Sequence, residues 1–99
     1  MSQTDHMDPE KLQIILASLE KRFYKILSFG GDFSTLFIFN NDRQNWQLKF
    51  NRAFLENIHP NIRLQQFLDR QVFPAILENP NRRIEIGSDG GITIAEKQS

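Results

Sequence analysis

Few side chains in this sequence could do chemistry. There is no cysteine, and therefore no thiolate nucleophile and no Cys-based zinc site. His6 stands between Asp5 and Asp8 in a polar N-terminal segment, where ordering a metal site would cost much conformational entropy, and His59 directly precedes Pro60 at the end of a predicted helix. The carboxylates are scattered, and no pair is placed for acid–base work. We therefore predict no catalytic residue, no metal ligand and no cofactor.

One glycine-rich segment, residues 87–91, has a composition that phosphate-binding loops share. Such loops lead from a strand into a helix, whose first turn binds the anion. Here alternating apolar residues follow the segment as well as precede it, and an Asp-Gly step is a strong hairpin signal. The segment is therefore predicted to be a hairpin turn.

Arginine is the best argument for an anionic partner, because seven of the twelve cations are arginine and its planar guanidinium suits phosphate or carboxylate. The candidate nucleic-acid contacts are Arg52, Arg63, Arg70, Arg82 and Arg83. The adjacent pair Arg82 and Arg83 is the candidate anion contact. However, twelve acidic residues balance the twelve cations, so no long-range field attracts nucleic acid. A solvated surface of mixed sign is the simpler interpretation.

The elements that position these residues begin with a helix. Asp8 is a predicted N-cap and Pro9 suits the first helical position. Apolar residues then recur at spacings of three and four as far as Leu27, which predicts one long amphipathic helix that Gly30 ends.

Two strands are predicted after this helix. The first covers about residues 33–40, and its centre, residues 36–39, is apolar on both faces, as in strands that are covered on both sides. The second places Trp46, Leu48 and Phe50 on one face, with polar residues between them. A polar turn joins the two strands.

Shorter helices and a hairpin complete the pattern. Asn51 and Asn61 are predicted caps of two helices, and Pro74 is expected to kink or restart the second one because it lacks a backbone N–H. Isoleucines alternate with polar residues on both sides of the 87–91 turn, which predicts two antiparallel strands.

The predicted fold class is α+β: an N-terminal amphipathic helix, a β-hairpin, two to three helical segments and a C-terminal β-hairpin, with helices on one face of an antiparallel sheet. Residues 8–96 are expected to form a single domain between a disordered tail (1–7) and a short C-terminal tail (97–99). The lack of cysteine favours the cytoplasm, and no apolar run approaches the ~20 residues that cross a bilayer.

Some apolar side chains have no place on the predicted packing faces. They are Ile14, Tyr24, Phe29, Leu36 and Ile38. If they form one exposed patch, it marks a protein contact, most often between two copies in a symmetric dimer. The alternative is that a helix covers this face within the monomer.

The predicted function is accordingly a small non-catalytic protein-interaction module (an adaptor, chaperone-like factor or regulator) that forms a homodimer. The first alternative is nucleic-acid binding through the five arginines and exposed aromatic groups such as Tyr24 or Trp46. The second is a small enzyme or ligand-binding subunit whose site forms between chains.

Overall fold

The computed structural model describes residues 8–97, and it confirms the α+β class. The helices are α1 (Pro9–Glu20), α2 (Arg52–Asn57), α3 (Asn61–Phe67) and α4 (Phe73–Glu78), with a π-helical turn at Leu68–Val72 between α3 and α4. The strands are β1 (Tyr24–Gly30), β2 (Ser34–Asn40), β3 (Asn45–Asn51), β4 (Arg82–Ile86) and β5 (Ile92–Glu96). The tail predicted for residues 1–7 lies outside the described residues, as do residues 98 and 99.

Helix α1 begins where the sequence predicts. The Asp8 carboxylate accepts a hydrogen bond from the backbone N–H of Glu10 at 2.9 Å, and Pro9 occupies the first turn. The helix ends at Glu20, however, so the prediction that it continues to Gly30 was wrong.

The residues beyond the Lys21–Phe23 segment form strand β1 instead of more helix. Aromatic and β-branched residues are common among them, and these side chains favour extended backbone. Lys25 has a φ of 54°, and the pairing register shifts between Tyr24 and Leu27, which together interrupt any helical path. The apolar residues up to Leu27 have a spacing that also fits a helix, but pairing with β2 makes this segment a strand.

The five strands form one sheet in the order β1-β2-β3-β4-β5. Three neighbouring pairs are antiparallel, but β3 and β4 are parallel. The expectation of a wholly antiparallel sheet fails at that one pair, because the helical segments between β3 and β4 carry the chain back across the sheet before β4 begins.

One face of the sheet and the inner sides of the helices form the core. The sheet contributes Phe37, Phe39, Trp46, Leu48, Phe50, Ile84 and Ile86. The helical segments contribute Ile15, Leu19, Phe54, Leu55, Leu64, Leu68, Val72, Phe73 and Ile76. Trp46 is 1% exposed, and its indole N–H donates to the carbonyl of Asn79 at 3.0 Å. The expectation that Trp46 is an exposed aromatic group that could stack on nucleic-acid bases was therefore wrong.

The helix starts predicted in the middle of the chain agree with the structure, with one exception. Asn51 caps α2, since its side-chain oxygen accepts from the N–H of Ala53 at 2.9 Å. Asn61 is the first residue of α3 rather than its cap, and its amide donates to Glu10 at 3.2 Å. The helix restarts at Phe73, directly before Pro74, after the π-helical turn.

The 87–91 segment is a hairpin turn, as predicted. The N–H of Gly90 donates to the carbonyl of Gly87 at 3.0 Å, and Gly90 has a φ of 86°. None of the helices within residues 8–97 is long and apolar enough to span a bilayer.

Candidate protein interface

The helices leave the second face of the sheet bare, and four apolar side chains lie on it at the β1–β2 end. Leu27 lies directly opposite Ile38, and Phe29 directly opposite Leu36. Residues that face each other across two strands share a face of the sheet, and alternation puts Phe37 on the other one. We call Leu27, Phe29, Leu36 and Ile38 the bare patch.

The bare patch is open to solvent to very different degrees along its width. On β1, Leu27 is 55% exposed and Phe29 is 52% exposed. On β2, Leu36 and Ile38 are half-buried, because neighbouring strands flank them on both sides. Single exposed apolar residues are ordinary, whereas four in two adjoining cross-strand pairs form a contiguous patch.

Polar side chains border the bare patch on the β3 side. Gln47 lies opposite Ile38 and Lys49 opposite Leu36. In the next strand Arg83 lies opposite Gln47 and Glu85 opposite Lys49. The same face therefore changes from apolar on β1 and β2 to charged groups of both signs on β3 and β4.

Strand β1 is also an edge of the sheet. It pairs with β2 alone among the described strands, so its other side presents backbone donors and acceptors that the sheet does not use. Of its seven residues, Ile26 is the one whose side chain is partly buried. A strand this exposed contributes little to the core, so packing in the core does not explain its exposed Leu27 and Phe29.

Three of the five predicted interface residues come together here, namely Phe29, Leu36 and Ile38. Tyr24 lies opposite Asn40 beyond the register shift, at the end of the same face, and shares a shallow groove with Arg22 and Arg43.

The fifth predicted residue, Ile14, is elsewhere. It lies on α1 and packs against the core from the helical side of the sheet. Sequence reasoning missed Leu27 because its spacing from Phe23 also fits a helical stripe; the signal that could have found it is its alternation with Phe29.

The predicted arginine set does not form a single patch. Arg52 pairs with Glu56 at 2.9 Å, Arg82 approaches Glu96 at 3.8 Å, and Arg83 approaches Glu85 at 3.1 Å. The remaining two, Arg63 and Arg70, are exposed on α3 and on the π-helical turn. The candidate anion contact thus splits, with Arg82 exposed and Arg83 largely buried.

No family model matches the chain, and neither the curated proteins nor the solved structures include a match. Within residues 8–97, no three histidine, aspartate or glutamate side chains converge where they could hold a metal ion.

Proposed function

We propose that this chain is a non-catalytic protein-interaction module that associates with a second copy of itself through the bare patch. The observation that supports this proposal is the pair of cross-strand contacts, Leu27 with Ile38 and Phe29 with Leu36, on a sheet face that no described helix covers. We place the protein in the reducing cytoplasm because the sequence has no cysteine.

A second copy fits the bare face better than an arbitrary partner. Two sheets pack face to face with their strands nearly aligned, and a two-fold axis through the bare patch would set one apolar strip on the other. The bordering charges are of both signs, with Lys49 and Arg83 beside Glu85, so the carboxylate of one copy can meet a cation of the other.

The expected affinity is modest. Leu27 and Phe29 are each about half exposed, so burying them in a dimer gains about half of the transfer free energy of a fully buried side chain. Over the four side chains of two copies this gain is roughly 3 to 6 kcal/mol. Association itself opposes this gain, while the half-buried β2 residues add to it. Because this cost is of the same size as the gain or larger, we expect weak association, with a dissociation constant on the order of 0.1 to 1 mM.

The test is sedimentation equilibrium from about 10 µM to 1 mM protein, a range that brackets this affinity. The wild type should change from monomer to dimer across the range. Leu27→Glu should stay monomeric because a carboxylate at the centre of the interface would be buried without a partner. Ile38→Glu, on the adjoining strand, should have the same effect.

Leu77→Glu is the matched control, because Leu77 is 60% exposed on α4, on the opposite side of the sheet from the bare patch. This variant should dimerise like the wild type. A wild type that stays monomeric throughout, or equal loss of dimer in Leu27→Glu and Leu77→Glu, would contradict the proposal.

A further inference from the structure

A cavity of about 270 Å³ lies on the helical side of the sheet, away from the bare patch. Residues from the start of α1, from β2 and from α2 and the loop after it form its wall: Asp8, Lys11, Thr35, Arg52, Leu55, Glu56 and His59. Its volume lies just below the usual range for ligand pockets, about 300 to 1,000 Å³. Both polar groups and an apolar wall are available to a ligand there.

Lys11 is the unusual member of this wall. It is 4% exposed, and its ammonium group donates to the backbone carbonyl of Leu55 at 2.5 Å. No carboxylate of residues 8–97 lies within ion-pair distance of it. This buried ammonium thus has one neutral acceptor and no ion-pair partner, and two of its N–H donors remain for a ligand.

The other charged groups in the wall already have partners. The Asp8 carboxylate caps α1 through the N–H of Glu10, at 2.9 Å. The Arg52 guanidinium pairs with Glu56 at 2.9 Å and donates to the carbonyl of Asp32 at 3.0 Å. Summed over Asp8, Lys11, Arg52 and Glu56 the wall carries no net charge, and Lys11 is the cation among them without a carboxylate partner.

Thr35 supplies a second polar group beside that charge. It is 9% exposed, and within the described part of the chain its hydroxyl has no hydrogen-bond partner, although it lines the cavity. A hydroxyl and an ammonium that line the same small cavity can both donate to the two oxygens of one carboxylate.

From this arrangement we infer that the cavity binds a small organic monocarboxylate. The carboxylate accepts from Lys11 and Thr35, and a short apolar body lies against the buried Leu55 side chain. A dianion such as phosphate fits less well, because one positive charge cannot balance it and the carboxylates of Asp8 and Glu56 would repel it. This inference does not depend on the proposed dimer.

The test is a titration of the ¹⁵N-labelled protein with sodium butyrate, followed by amide chemical shifts at constant ionic strength. Saturable shifts should appear at Lys11, Thr35 and Leu55, with a dissociation constant on the order of 1 mM, a reasonable affinity for so few ligand atoms. Sodium chloride and inorganic phosphate are the parallel titrations, and neither should saturate these shifts.

Lys11→Met should weaken butyrate binding by roughly tenfold or more, since it removes a charge-assisted hydrogen bond. Methionine is unbranched and one atom shorter than lysine, and replacing a buried charge with an apolar group is often neutral for stability. Lys21→Met, an exposed lysine at the end of α1, is the control and should bind like the wild type.

Thr35→Val gives an independent readout if Lys11→Met does not fold, and it should weaken binding by roughly fivefold, as expected for one neutral hydrogen bond. Three results would overturn the inference: linear shifts with butyrate, saturation by phosphate in its place, or wild-type affinity in the folded Lys11→Met or Thr35→Val variant.

Discussion

Leu27 of β1 and Ile38 of β2 face each other directly across two antiparallel strands, on the side of the sheet that the helices do not cover. One residue along β2, Phe37 points the other way and is completely buried. Within this part of the sheet, therefore, the inner face packs in the core and the outer face is open to solvent.

Substitution of one phenylalanine on each face of the sheet tests how the two faces differ in their contribution to stability. Phe37→Ala should lower the free energy of unfolding by about 3–5 kcal/mol, because it leaves a cavity in the core. Phe29→Ala should lower it by less than about 1 kcal/mol, because Phe29 is half exposed on the edge strand. Urea unfolding at low micromolar protein measures both, and the same Phe29 variant should weaken self-association at high concentration. Equal destabilisation by the two substitutions would contradict the assignment of faces.

Gly90 is predicted to be the sensitive glycine of the β4–β5 turn. Its φ of 86° disfavours any side chain, and an added Cβ would lie 3.3 Å from the Phe54 ring. Gly90→Ala should therefore lower the free energy of unfolding by about 1–2 kcal/mol. Gly87→Ala, in the same turn, is the control; it should change stability by less than about 0.5 kcal/mol, since the nearest atom to its Cβ would be a side-chain oxygen at 3.4 Å. An equal loss of stability in the two variants would show that the positive φ of Gly90 does not cause the loss.

The chain is not expected to bind nucleic acid. We expect no retention on heparin and no gel shift with single-stranded RNA at about 50 mM salt, conditions that favour electrostatic binding. Three of the five arginines already approach carboxylates, and the chain has no net charge to attract a polyanion. Binding that weakens steeply with salt would reverse this expectation, and loss of it in Arg63→Gln or Arg70→Gln would locate the contact.

Elements with a strong local signal are those that the sequence predicts well. The alternation of Trp46, Leu48 and Phe50 with polar residues places β3 correctly, because a strand covered on one side must alternate. The caps at Asp8 and Asn51 follow from side-chain chemistry within two residues of the backbone they bind.

The remaining features depend on contacts that are distant in the chain. Strand β1 is exposed on both faces, so the alternation of Leu27 with Phe29 is a weak signal and pairing with β2 decides the conformation of the strand. The parallel pairing of β3 with β4 depends on where the intervening helices bring the chain back. Lys11 gives no signal in the sequence, because only the folded chain shows that this lysine is buried beside Thr35.

Thr35 and Leu36 are consecutive residues, yet one lines the cavity and the other belongs to the bare patch. The pleat of β2 thus separates the two proposed binding surfaces by a single peptide unit. We therefore expect the Leu36 methyl resonances to shift when a ligand enters the cavity on the other side of the strand.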